Sequence, residues 1–138
     1  MMLTVLAQLH EAIAIKTAEV KLSEPKQGLK NFVNNNPMNW LKQPPMNYSG
    51  IIGVEGKVPS LQGARWYFDE VTSTLLYKAA EESDLVGSDM ERGIARFRVE
   101  LVYIDKNRSG RFEEAEDKAT GLELSPVTPF RWQNLNRP

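Results

Sequence analysis

Apolar positions recur at helical spacing through the first 22 residues of this 138-residue chain. Leu3, Leu6, Leu9, Ile13 and Val20 line up on one face, with alanines between them. This predicts one amphipathic helix over residues 2–22, with Lys16, Glu19 and Lys21 among its polar positions. No capping residue opens it, which predicts that the natural helix begins further upstream. Ser23-Glu24-Pro25 predicts the start of a second, shorter helix, since a proline costs nothing in a first turn where its N–H has no partner anyway. Leu29, Phe32 and Val33 give that helix its apolar face. Asn34-Asn35-Asn36-Pro37 ends it, because asparagine tolerates the left-handed conformation and a residue before proline avoids the helical one. Met38 to Leu41 form one more turn, and Pro44-Pro45 forces extended backbone.

From residue 48 the period changes from helical to alternating. Tyr48 to Val54 reads as a short strand, and Ala64 to Tyr77 as a hairpin with a polar turn at Glu70 to Thr74. Trp66 and Phe68 alternate there with Arg65, Tyr67 and Asp69, so Tyr67 is expected to face outward. Residues 79–93 read as a charged surface loop. Ala95 to Ile104 is the clearest strand, with Phe97, Val99, Leu101 and Tyr103 on one face and Arg96, Arg98 and Glu100 on the other. Residues 105–121 read as a polar loop, Leu122 to Leu124 as a last short strand, and Val127, Phe130 and Trp132 as late apolar anchors. Helices followed by antiparallel strands predict an α+β fold: an N-terminal helix packed on a small antiparallel sheet with one wet face. The length predicts a single domain over residues 1–138, with a helical part at 1–43 and a sheet with its loops at 48–133.

Composition narrows the chemistry. Seventeen basic side chains balance 18 acidic ones, which gives no drive toward nucleic acid. The chain has no cysteine, so disulfides, thiolate nucleophiles and sulfur-ligated zinc are excluded. His10 is the single histidine and has no neighbouring partner in sequence, which leaves catalytic triads and histidine metal clusters without material. A non-enzymatic role is therefore expected. No apolar run reaches the roughly 18 residues needed to span a bilayer.

One local motif carries candidate chemistry. Counting Asp105 as the first position, oxygen-bearing side chains fall at Asp105, Asn107, Ser109, Glu113 and Glu116, with Gly110 sixth and Phe112 eighth. That is the spacing of a calcium-binding loop, in which Arg111 would contribute its backbone carbonyl. Lys106, Arg108 and Arg111 place positive charge beside the same oxygens, and the alternative is a polar turn shaped by Asp105, Asn107 and Gly110. Trp66-Tyr67-Phe68, and Trp40 beside Pro44-Pro45, each admit a ligand-stacking role, against burial as core aromatics. Asp69 with Glu70, and the run Glu113-Glu114-Glu116-Asp117, are paired carboxylates that read most simply as solvated charge. Arg96 and Arg98 are placed to pair across strands with carboxylates.

Several local strings resemble one family. They are Asn-Pro-Met-Asn-Trp-Leu (36–41), Pro-Pro-Met-Asn-Tyr (44–48), Trp-Tyr-Phe-Asp followed by Leu-Leu-Tyr (66–77), Ser-Gly-Arg-Phe (109–112) and the end from Gly121 to Trp132. In this order the set resembles type IV pilins and pseudopilins, nearest in pattern to minor pilins of the mannose-sensitive hemagglutinin pilus group. The resemblance covers most of residues 29–133. It implies a helix-on-sheet fold and an inner-membrane precursor processed by a prepilin peptidase. The mature subunit would pack with other pilin subunits and the assembly machinery in a periplasmic or cell-surface filament serving adhesion or secretion. It also implies a calcium-stabilised loop as in related pseudopilins. The family's leader, cleavage site and apolar first half-helix have no counterpart in these residues, so its assembly residues map to no position here. Leu3, Leu6, Leu9 and Ile13 are the positions expected to bury against the sheet and to contribute to subunit contacts. The alternative expectation is a surface-displayed module that binds a ligand or calcium.

Overall fold

The computed structural model describes residues 2–24, 28–53, 61–86, 93–104, 118–128 and 130–132. A single α-helix, α1 (Met2–Ser23), packs on one face of a sheet built from β1 (Tyr48–Ile52), β2 (Arg65–Asp69), β3 (Thr74–Lys78), β5 (Ile94–Ile104) and β6 (Lys118–Pro126). The strand order is β1-β2-β3-β5-β6, antiparallel throughout except for the parallel β1–β2 pair. A small second sheet pairs β4 (Leu85–Val86) with β7 (Arg131–Trp132). The chain is thus an α+β fold with one N-terminal helix and a mostly antiparallel five-stranded sheet.

The helix is set differently on the sheet from the expected stripe. Met2, Val5, Leu9, Ala12, Ile13 and Val20 are buried, whereas Leu3 is 52% exposed and Leu6 half-buried. Each residue turns a helix by about 100°, so exchanging Leu3 for Met2, Val5 and Ala12 rotates the buried stripe by roughly half a step. Met2 and Val5 are the apolar residues that the leucine spacing leaves out. Ala7, Ala14 and Ala18 are exposed while Ala12 is buried, so alanine positions do not mark which side faces the core.

The second helix is shorter than expected. Ser23 Oγ donates to the Glu19 carbonyl at 3.0 Å, so it closes α1 rather than capping a second helix. A 3-10 helix runs over Gly28–Phe32. A Cβ at Gly28 would lie 2.5 Å from Glu24 Cβ and 2.8 Å from Val20 Cγ1, which is why this tight approach carries glycine. Pro25 lies outside the described residues. Asn34 adopts the left-handed conformation at φ +65° and donates its N–H to the Val99 carbonyl at 3.0 Å. A second 3-10 helix, Pro37–Trp40, is capped by Asn36, whose side chain accepts from Met38 N–H at 3.1 Å and donates to the Tyr48 hydroxyl at 2.9 Å.

Trp66 is fully buried at the centre of the helix-facing side of the sheet. Its ring lies 5.1 Å from Tyr77 and 5.8 Å from Phe97, and Phe97 in turn meets Phe130 edge-on at 5.6 Å. Three expectations from the sequence give way on the far side and at the sheet's margins. Tyr67 does not face outward: it is 6% exposed, packs with Leu76 and Ile94 in a small cluster on the far side of the sheet, and donates its hydroxyl to the Gln62 carbonyl at 3.0 Å. Partly buried Ile52 and Leu61 cover that cluster, so this part of the sheet has no wet face. Residues 79–93 are not all surface loop, since Ala79, Asp84 and Leu85 are buried and Leu85–Val86 forms β4. The last strand of the main sheet is longer than Leu122 to Leu124, running from Lys118 to Pro126 with a bulge beside Val102 and Tyr103.

Candidate functional site

The proposed calcium loop, Asp105, Asn107, Ser109, Arg111, Glu113 and Glu116, lies outside the described residues. On either side of it, Ile104 ends β5 and pairs with Lys118, which opens β6. The segment therefore joins two antiparallel strands. Among the described residues, no group of three or more His, Asp or Glu side chains is placed to hold a metal ion.

The four helix positions separate into two groups. Leu9 and Ile13 belong to the core of this chain, at 0% and 2% exposure. Leu3 points outward and Leu6 packs partly against the core. The outward side of α1 instead presents Leu3, Ile15 and Leu22 with exposed Ala7, Ala14 and Ala18. Thr4, Glu11 and Lys21 are exposed on the same side, so it mixes small and apolar residues with polar ones. The sequence stripe misses it, because Ile15 and Leu22 fall outside the period set by Leu3, Leu6, Leu9 and Ile13. No helix among the described residues is long and apolar enough to cross a membrane.

The far side of the sheet carries a compact polar cluster. Arg96 Nη1 donates to Asp69 Oδ2 at 3.0 Å and to Thr74 Oγ1 at 2.9 Å, and Arg98 donates to the Thr72 carbonyl at 3.2 Å. Asp69 Oδ1 also accepts from Val71 N–H at 2.9 Å, which fixes the β2–β3 turn. Burial pushes the Asp69 carboxyl up, but hydrogen bonds from Arg96, the Val71 amide and Thr72, with the Arg96 charge, outweigh it and hold the group below its ordinary 3.8. The expected cross-strand pairing of Arg96 with a carboxylate is present. Asp69 is held ionised in a turn, an arrangement suited to a structural anion rather than to proton transfer.

Two grooves border α1. One, of about 440 Å³, lies between His10, Ile13 and Ala14 on the helix and Leu122 to Leu124 on β6. His10 is exposed there and shares the groove with Glu123, a neighbour its sequence surroundings give no sign of. The other, of about 570 Å³, lies between Gln8, Glu11, Ile15 and Glu19 of α1 and the Trp40–Gln43 segment. Trp40 is the aromatic residue that the structure leaves half-buried beside a groove, while Trp66, Tyr67 and Phe68 are all enclosed. The sequence signal for this is weak: a tryptophan before two prolines also describes a packed anchor.

Set against family models, curated proteins and solved structures, the chain matches none.

Proposed function

We propose that this chain is a non-catalytic assembly subunit of a type IV pilus or related pseudopilus, of the minor-pilin kind. It would act by docking against other subunits and the assembly machinery. The observation that carries this reading is the two-sided use of α1. One side is committed to the sheet through Leu9 and Ile13, and the other offers Leu3, Ile15 and Leu22 among exposed alanines. A helix between a sheet and a second packing surface suits a filament subunit whose helices lie side by side, because small residues let neighbouring backbones approach. The ordered strings between Asn36 and Trp132 support the same reading. It entails an inner-membrane precursor and a mature protein in the periplasm or on a surface filament.

Site-specific cross-linking in the producing cells tests this. A photo-cross-linking residue at Ile15 or Leu22 should trap a second prepilin-processed protein, and one at Glu100, on the sheet side, should trap less of it. Equal yields from all three positions, or no trapped partner of that class, would reject docking through the outer side of α1.

A further inference from the structure

We infer that the groove between α1 and the Trp40–Gln43 segment is a binding site for a neutral polyhydroxylated ring, a single saccharide unit. This rests on the groove alone; because Ile15 lines it, a saccharide there and a subunit docked over Ile15 would exclude one another.

The aromatic wall is held in place before any ligand arrives. Trp40 ends the 3-10 helix Pro37–Trp40, whose Pro37 and Met38 are buried and whose first turn is capped by Asn36. Its ring meets Phe32 edge-on at 6.2 Å, and the Lys16 ammonium lies 4.7 Å from the Phe32 ring centre and 6.0 Å from that of Trp40. A ring fixed by these contacts loses little entropy when something stacks on it. Ala12, Ile15 and Leu41 continue the apolar lining beside Trp40. The volume, about 570 Å³, falls within the roughly 300–1,000 Å³ of small-molecule sites.

The polar residues choose the class of ligand. Gln8 and Gln43 contribute amides, each both donor and acceptor, and Glu11 and Glu19 contribute acceptors. Lys42 contributes a donor. An anion would meet Glu11 and Glu19, and a cation would meet Lys42. A neutral ring with several hydroxyls satisfies both kinds of partner. Its apolar C–H face matches Trp40, Ile15 and Leu41. Such a ligand also suits an open groove, where water completes the hydrogen bonds the protein does not make.

The test uses the full chain labelled with nitrogen-15. Methyl glycosides of glucose, galactose, mannose and N-acetylglucosamine are titrated while the Trp40 indole N–H and the Gln8 and Gln43 side-chain amides are followed by NMR. At least one glycoside should give saturable shifts confined to these groups, with a dissociation constant on the order of 1 mM. Gln8→Ala and Gln43→Ala lie on exposed positions and should keep the fold, yet weaken binding by roughly threefold to tenfold each. Trp40→Ala should abolish it. No saturable shift at glycoside concentrations up to about 50-fold above that constant would overturn the proposal. So would shifts that survive the glutamine variants, or shifts produced by methylammonium or acetate and by none of the glycosides.

Discussion

Arg96 and Asp69 lie 27 residues apart, yet Arg96 Nη1 sits 3.0 Å from Asp69 Oδ2 on the sheet side turned away from α1. The pair ties β5 to the β2–β3 turn across the intervening strand β3. Both side chains are mostly buried, at 16% and 12% exposure. Removing one partner strips a charged hydrogen bond and leaves the other without its counter-charge. Arg96→Ala should lower unfolding free energy by about 1–3 kcal/mol. A double-mutant cycle with Asp69→Asn, read by urea denaturation, should give a favourable coupling energy.

The same carboxyl sets part of the acid sensitivity. Its folded-state pKa lies below 3.8, so the unfolded chain binds the proton more readily in that range. The stability it supplies is complete above about 3.8 and is lost as pH falls through the depressed folded value. Urea midpoints at pH 7 and pH 3 should therefore differ less in Asp69→Asn than in the unaltered chain. An equal acid loss in both would show that Asp69 contributes nothing to it.

Tyr77 acts at the other end of the scale. Burial and the nearby charge of Asp84 both push its phenol above 10.0. The folded state then holds the proton longer than the unfolded state. The associated stability is complete below about 10 and is lost as pH rises through the raised value. Among the chain's four tyrosines, Tyr77 should ionise late in an ultraviolet titration. Tyr77→Phe should remove that late step.

The helix setting is tested by a contrast between two leucines. Leu9 is fully buried and Leu3 is half-exposed. Leu9→Ala should cost about 2–5 kcal/mol, and Leu3→Ala no more than about 0.5 kcal/mol. Similar losses at both would mean that the helix presents the face its leucine spacing alone suggests.

Backbone conformation gives an opposite-signed prediction. Ala64 adopts φ +59° and donates its N–H to the Lys78 carbonyl at 2.7 Å. A side chain in the left-handed region costs roughly 1–2 kcal/mol that glycine avoids, although glycine gives back part of this as entropy. Ala64→Gly should therefore raise the thermal midpoint slightly. Asn34→Val, at φ +65°, should lower it by more.

Elements with strong periodicity are legible in the sequence. The strand expected over Ala95 to Ile104 is observed as Ile94–Ile104, and the helix expected over 2–22 as Met2–Ser23. Asn34 turns left-handed where the sequence places the end of a helical segment. The differences share one physical cause: residues whose environment is set by distant segments. Tyr67 alternates with Trp66 and Phe68, but its face of the sheet is covered by Leu61, a residue with no strand pattern of its own. Leu85 sits in a charged stretch and enters the core, paired with Trp132 from the far end of the chain. The Trp40 groove needs two segments that only folding brings together, so neither segment signals it alone.

The most direct measurement on the assembly reading is the native N-terminus. The gene product would be recovered from its own cells and its processed end read by mass spectrometry. The account predicts an N-methylated, apolar segment preceding Met1 and long enough, at about 20 residues, to cross a bilayer as a helix. A native chain that starts at Met1 or Met2 without methylation would contradict it.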